Sequence, residues 1–270
     1  MRIQRRILPA TLLLALSSAP VSLSAQSGAT PAAARLGFFP QRLARIDTFF
    51  QAAVDRGEIA GAVVRVLRNG EPAYERAFGW SDREAGRRMT TDAIFRIASQ
   101  SKGLTSTAVM VLAEEGKLWV NDPVSRFIPE FAHTTVAVRT DSGPKIVPAN
   151  RPITIRDLLT HTAGISYGTD AQVAPLYAAK GLGPAAGPYG WYFANKDEPV
   201  CSAIERLASL PFVAQPGERF VYGYNTDVLG CVVERASGMP LDRFIRVTPT
   251  HYQLGRAGHR DDGRHRQRVG

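Results

Sequence analysis

The stretch Phe95-Arg-Ile-Ala-Ser-Gln-Ser-Lys-Gly-Leu-Thr-Ser106 decides how this chain is read. It sets Ser99 and Lys102 three residues apart, just ahead of the uncharged run Gly103–Ala113 (GLTSTAVMVLA). That run is too long for an ordinary strand and contains no proline, so it predicts a buried helix. Ser99 then falls at the helix N-terminus, where serine is favoured and the dipole stabilises developing negative charge. Residues three apart share a helical face, so the two side chains can meet. A serine hydroxyl is a poor nucleophile until a base takes its proton, and a lysine with a pKa lowered by desolvation can be that base. The spacing alone leaves a second reading open, in which Ser99 is an ordinary helix cap and Lys102 a solvated first-turn residue. The same spacing recurs at Ser142-Gly-Pro-Lys145, but Gly-Pro cannot hold a helical turn and gives those side chains no reason to converge.

Upstream, Leu43, Ile46, Phe49, Phe50 and Val54 recur at a helical period over residues 40–57. The β-branched run Gly61–Leu67 reads as a strand, Asn69-Gly70 as a hairpin turn, and Pro72–Trp80 as the return strand. Downstream, the Ser99 helix is expected to stop near Gly116, and residues 121–129 to form a turn and a short helix. Residues 133–151 are polar and hold Gly and Pro, so they read as an exposed loop. A short helix is expected over Ile155–Leu159, and helices over Cys201–Leu210 and from the 217–230 segment to about Ala236. Residues 169–200 show no sustained period and suit a long loop beside a pocket.

The net charge of +9 raises the question of a nucleic-acid partner. Of it, +3 sits on Arg2, Arg5 and Arg6 and another +3 on the last twenty residues, leaving +3 for the body. The body shows no basic stripe interleaved with aromatics, which sets nucleic acid aside. Hydrophobic content of 44% and charged content of 21% are those of a soluble globular protein with room for one or two lobes. Residues 1–25 join a basic start (MRIQRR), a short apolar stretch and small residues ending at Ala25, the pattern of a cleaved export signal. The apolar stretch, broken by Pro9 and Pro20, is too short to span a bilayer, so no stable membrane anchor is expected. Export predicts a periplasmic or secreted protein. In that oxidising space Cys201 and Cys231 either pair or stay buried and free; sequence leaves both open. Residues 26–36 read as a linker. No His, Cys and Asp cluster has metal-ligand spacing, and no cofactor is implied.

A rival nucleophile, Ser166, lies in Gly164-Ile-Ser-Tyr-Gly168. That Gly-x-Ser-x-Gly elbow needs a strand before it and an acid and then a histidine after it. A short helix precedes it, and the later histidines, His251, His259 and His265, all fall in the tail. Ser166 therefore reads as part of a glycine-rich turn.

Several linked motifs over roughly residues 40–246 resemble the serine β-lactamase-related family, which holds class C β-lactamases, D,D-peptidases and esterases. Phe95–Lys102 is similar to its nucleophile segment, which implies Ser99 as nucleophile and Lys102 as its base partner. Ile155–Ile165 (IRDLLTHTAGI) resembles a stretch that supports the pocket, with His161 and Gly164 structural. Pro216–Tyr222 followed by Thr226–Gly230 resembles the segment carrying the catalytic tyrosine, which implies Tyr222. Family β-lactamases and D,D-peptidases usually continue Tyr-x-Asn; here Tyr224 stands in that place and Asn225 comes one later. These two are the candidate substrate contacts, and the departure favours an esterase over a β-lactamase or D-alanyl-D-alanine carboxypeptidase. The resemblance implies an α/β fold, with an antiparallel sheet flanked by helices beside an all-helical lobe. It also implies an oxyanion site using the Ser99 N–H and a late strand with a Lys/His-x-Gly or glycine-rich segment. The sequence lacks that segment. Residues 37–246 read as an incomplete domain, and 247–270 as an arginine-rich tail too polar to build a core; the expectation is a shifted reading frame or shortened gene, and the competing reading is a basic tail that binds an anionic partner. The implied chemistry is hydrolysis of a small ester, a β-lactam or a peptidoglycan-type peptide through an acyl-enzyme on Ser99, with an inactive fragment or a non-catalytic binding protein as the other readings.

Overall fold

The hairpin forecast from Asn69-Gly70 is where the first sheet starts. In the computed structural model, which describes residues 28–184 and 198–247, Asn69 and Gly70 both take positive φ (54° and 81°). That pair of angles is what a tight two-residue hairpin turn requires. Helix α1 (Pro40–Asp55) precedes it; strands β1 (Gly61–Arg68) and β2 (Glu71–Asp82) form it, and the two-residue β3 (Arg87–Arg88) pairs with the end of β2. All pairings are antiparallel. The signal region and the basic tail lie outside the described residues.

The chain divides into two units, residues 1–96 and 97–270. In the first, α1 lays Leu43 and Val54 against Tyr74 and Phe78 of β2, with Phe50 stacked on Phe78 at 5.5 Å between ring centres. Phe49 does not join this core: it points outward and touches Phe50 edge-on, because the buried stripe is narrower than the apolar count suggests. Residues 28–36 are no linker. The Thr30 N–H donates to the Ala73 carbonyl and the Glu75 N–H to that of Gly28, so this segment lies along β2. Asp47 ties the layers together, accepting from Tyr74 Oη at 2.9 Å, Arg76 Nη1 at 2.6 Å and the Gly28 N–H at 3.3 Å. Burial pushes the Asp47 carboxyl up, but these donors outweigh it and hold it below the ordinary carboxylate range.

The second unit is mostly helical. Its helices are α2 (Ser101–Glu114), α3 (Ile155–Leu159), α4 (Ala174–Ala179), α5 (Val200–Ala208) and α6 (Asn225–Ser237); residues 241–247 are helical too. The α6 helix packs against α2, α3 and α5, and Val228, Leu229, Cys231, Val232 and Val233 are all buried. The α3 helix starts at a full capping box: Thr154 Oγ1 accepts from the Asp157 N–H while the Asp157 carboxylate accepts from the Thr154 N–H. Arg151 grips the same carboxylate with two hydrogen bonds, at 2.7 and 2.9 Å. Cys201 and Cys231 form a disulfide between α5 and α6, which settles the pairing that sequence left open.

Four expectations are corrected here. Residues 133–151 are not a loop, and this lobe is not all helix: β4 (Thr135–Thr140) and β5 (Gly143–Pro148) form an antiparallel hairpin turning at Gly143 (φ 114°). Only its base is buried. The Ala137 N–H donates to the Phe212 carbonyl and the Phe212 N–H to that of Thr135, so most of the ribbon is solvated and its composition looks like a loop's. Within 169–200, α4 interrupts the expected loop, and 185–197 lie outside the described residues. The uncharged α2 run is one-sided. Thr105, Ala108, Val109 and Leu112 are buried, whereas Leu104 and Met110 are about half exposed.

Candidate active site

Ser99 lies in a single 3-10 turn, Ala98–Gln100, that runs directly into α2. It is therefore not the helix cap; Gln100 holds that position without a side-chain hydrogen bond. Ala98 takes φ 48°, a left-handed conformation that costs a residue with a Cβ about 1 kcal/mol or more. This strained turn leaves the Ser99 side chain in the open. Lys102, in the first turn of α2, donates from Nζ to Ser99 Oγ at 3.1 Å. The hydroxyl of Tyr222 lies 3.3 Å from the same Oγ. Three residues expected to work together thus converge on one oxygen, although Tyr222 is 123 positions from Ser99.

Tyr222 reaches that point because the backbone around it is packed without slack. A Cβ at Gly223 would lie 2.1 Å from the Ile165 carbonyl oxygen, and a Cβ at Gly164 equally close to that of Ala214. The Val221 N–H donates to the His161 carbonyl at 2.7 Å. His161 (φ 56°) sets its ring beside that of Tyr222, 5.0 Å between centres. Asn225 Nδ2 donates to His161 Nδ1 at 3.0 Å and to the Val221 carbonyl at 3.1 Å. An accepting Nδ1 keeps the imidazole proton on Nε2. Burial, and then the charge of Lys102, push the His161 pKa down, so the ring stays neutral. Lys102 acts the other way on the phenol. Its hydrogen bond first, then that of Ser99, lower the Tyr222 pKa despite partial burial.

The remaining sequence candidates separate cleanly. Asn225 and Tyr224, the candidate substrate contacts, are both fully buried from solvent, although Tyr224, unlike Asn225, forms part of a cavity wall. Asn225 braces the Tyr222 segment, and the Tyr224 hydroxyl accepts from the Gly183 N–H at 2.8 Å. A one-place shift along the chain turned Asn225 inward, onto the first turn of α6, where its amide serves the backbone. Ser166 is buried and its Oγ accepts from the Gly168 N–H at 3.0 Å, so the rival elbow is a turn. Ser142 lies in the β4–β5 turn itself and Lys145 in β5, opposite Val138. The Ser99 N–H donates to the Ile97 carbonyl, so it is not aimed at an incoming oxygen here. Among the described residues no group of three His, Cys, Asp or Glu side chains is placed to hold a metal ion.

A cavity of about 670 Å³ opens beside the triad; Ser99, Lys102, Tyr222, Thr105, Leu241 and Asp227 line it. Sequence reasoning missed Asp227. In the first turn of a helix an aspartate is unremarkable, because it complements the dipole. Nothing in the pattern said that this one points inward.

Ser99 in the turn that leads into α2, with Lys102 and Tyr222 on its hydroxyl in a mostly helical unit, fits the β-lactamase/transpeptidase-like class of fold. The chain belongs to the beta-lactamase family, whose model matches residues 46–251. It is 37% identical over 199 residues to esterase EstB of Burkholderia gladioli, an alignment covering 73% of this chain and 46% of that protein. It is 32% identical to the lovastatin esterase of Penicillium rubens, over 74% of this chain and 49% of that one. Among solved structures, EstCE1, described as a hydrolase with promiscuous acyltransferase activity, superposes with a TM-score of 0.60 at 31% identity, covering 80% of this chain and 51% of that one. The chain spans about half the length of the curated relatives it matches.

Proposed function

We propose that this protein is an exported, esterase-like serine hydrolase that cleaves small carboxylic esters through an acyl-enzyme on Ser99. The observation that carries the reading is the convergence of Lys102 Nζ and Tyr222 Oη on Ser99 Oγ at the mouth of a cavity. Oγ attacks the ester carbonyl carbon, and its proton passes to the phenolate form of Tyr222, which Lys102 stabilises. The tetrahedral adduct then expels the alcohol, which takes the proton back from Tyr222. Water, deprotonated by the same pair, attacks the acyl carbon and releases the acid and Ser99. The names of EstB and the lovastatin esterase support an ester over a β-lactam or D-alanyl peptide, as does the absence of Asn two places after Tyr222.

Export is supported by the basic-then-apolar start ending at Ala25, and by a disulfide, which persists best in an oxidising compartment. The deciding experiment treats the full chain with an uncharged fluorophosphonate and maps the adduct by mass spectrometry. Labelling at Ser99, lost in Ser99→Ala, supports the proposal; labelling at Ser166, or none in folded protein, overturns it. Turnover of a chromogenic cephalosporin but not of p-nitrophenyl esters would move the substrate class to β-lactams.

A further inference from the structure

The cavity beside Ser99 contains a carboxylate that the acyl-transfer chemistry leaves unused. Asp227 stands in the first turn of α6 and opens onto the same space as Ser99, Lys102 and Tyr222. It lies deep in the unit yet remains open to the cavity. Burial lifts its pKa to about 6, against the pull of its own backbone N–H and of the Lys102 charge. Among the described residues it forms no ion pair, and its hydrogen-bond partner is that same N–H. A carboxylate in such a place is unfavourable unless a cation or several donors meet it.

The volume falls within the range of small-ligand sites, roughly 300–1,000 Å³. Among the described residues four other titratable groups face it: Lys102 from α2, Tyr222 and Tyr224 ahead of α6, and Tyr167 from the loop after α3. Of these Lys102 is a cation, and its ammonium is engaged with Ser99. Val200 and Leu241 add apolar surface suited to a methylene chain. Asp227 is thus the one carboxylate among the described lining residues, and among them it has no ion-pair partner.

We propose that Asp227 is the specificity residue of this cavity, selecting esters whose acyl chain ends in a protonated aliphatic amine. The inference deepens the hydrolase reading and rests on Ser99 being the nucleophile: the carbonyl sits at Ser99 Oγ and the ammonium at Asp227. The alcohol leaves to solvent while the acyl group stays on Ser99, so the enclosed part of the cavity holds the acyl chain through both steps.

The test is a calorimetric titration of the full-length Ser99→Ala chain, at about pH 8, with ε-aminocaproic acid methyl ester and its uncharged isostere methyl heptanoate. The expected result is about tenfold or greater preference for the amine, as for a hydrogen bond to a charged group. That preference disappears when Asp227→Asn is added, and fades as pH falls below about 6, where the carboxyl takes up a proton. Equal affinity for the two esters, or a preference that survives Asp227→Asn, overturns the proposal. Because binding is read without turnover, the fluorophosphonate experiment stays independent. An unlabelled Ser99 alongside an Asp227-dependent preference would retire the hydrolase and keep the cation site; the reverse outcome would do the opposite.

Discussion

Tyr222 sits between two opposite charges that pull its phenol in different directions. Lys102 lowers its pKa through a hydrogen bond and through charge, while Asp227 raises it more weakly through charge. If Tyr222 is the proton acceptor, the rise of ester hydrolysis with pH tracks its ionisation. Lys102→Met should then move the midpoint of that rise to higher pH, and Asp227→Asn should move it slightly lower, in stopped pH–rate profiles. Tyr222→Phe should reduce kcat by about 10²–10⁴-fold, the usual worth of positioned acid–base catalysis. Asp227 also makes a prediction about stability. Its folded pKa of about 6 lies above the unfolded value of 3.8, so its contribution is fully present below about pH 4 and lost as pH rises through 6. That interval corresponds to about 3 kcal/mol at most. Asp227→Asn should therefore raise the urea midpoint at about pH 8 and change it little at about pH 4; an equal effect at both would place the strain elsewhere.

Elements carry the next level of the argument, because the site depends on how α6 and the segment before it cross the 161–168 loop. Gly223 has an ordinary backbone conformation, yet a Cβ there would meet the Ile165 carbonyl at 2.1 Å. Gly223→Ala should destabilise the chain by about 1–3 kcal/mol, since backbone cannot yield as a side-chain tip can. It should also displace Tyr222, so that activity falls further than the shift in thermal midpoint explains. Differential scanning calorimetry beside ester turnover separates the two effects. The legibility of the sequence divides along the same line. The turn at Asn69-Gly70, the α3 boundaries and the Ser99–Lys102–Tyr222 set were readable, because local rules or linked motifs specify them. The β4–β5 ribbon was not. Thr135, Arg139, Thr140 and Lys145 give it the composition of a loop, and what makes it a hairpin is a tertiary pairing of its base with Phe212. Asn225 was misread for a related reason: its residue type suits a substrate amide, but helical phase decides where it points. Asp227 and its cavity needed α2 and α6 to be packed together before either could be seen.

At the scale of the whole molecule, the two units differ in what holds them. Residues 28–96 rely on the α1–β2 core and the Asp47 cluster, whereas the helical unit adds a covalent tie between α5 and α6. Cys201 and Cys231 are 30 positions apart, and closing a loop of that size removes enough unfolded-chain entropy to stabilise by about 3–4 kcal/mol. The intervening segment includes Pro216–Asn225, which carries Tyr222. Reduction should therefore act on α5, α6 and the Tyr222 segment and spare the unit that holds β1 and β2. Hydrogen exchange read by mass spectrometry, with and without dithiothreitol, checks this directly. Protection should fall in α5, in α6 and around Tyr222, while β1 and β2 keep theirs, and ester hydrolysis should decline together with α6 protection. Equal loss across both units would mean that they unfold as one body, and unchanged protection in α6 would mean that packing alone holds that helix, leaving the disulfide without a part in positioning Tyr222.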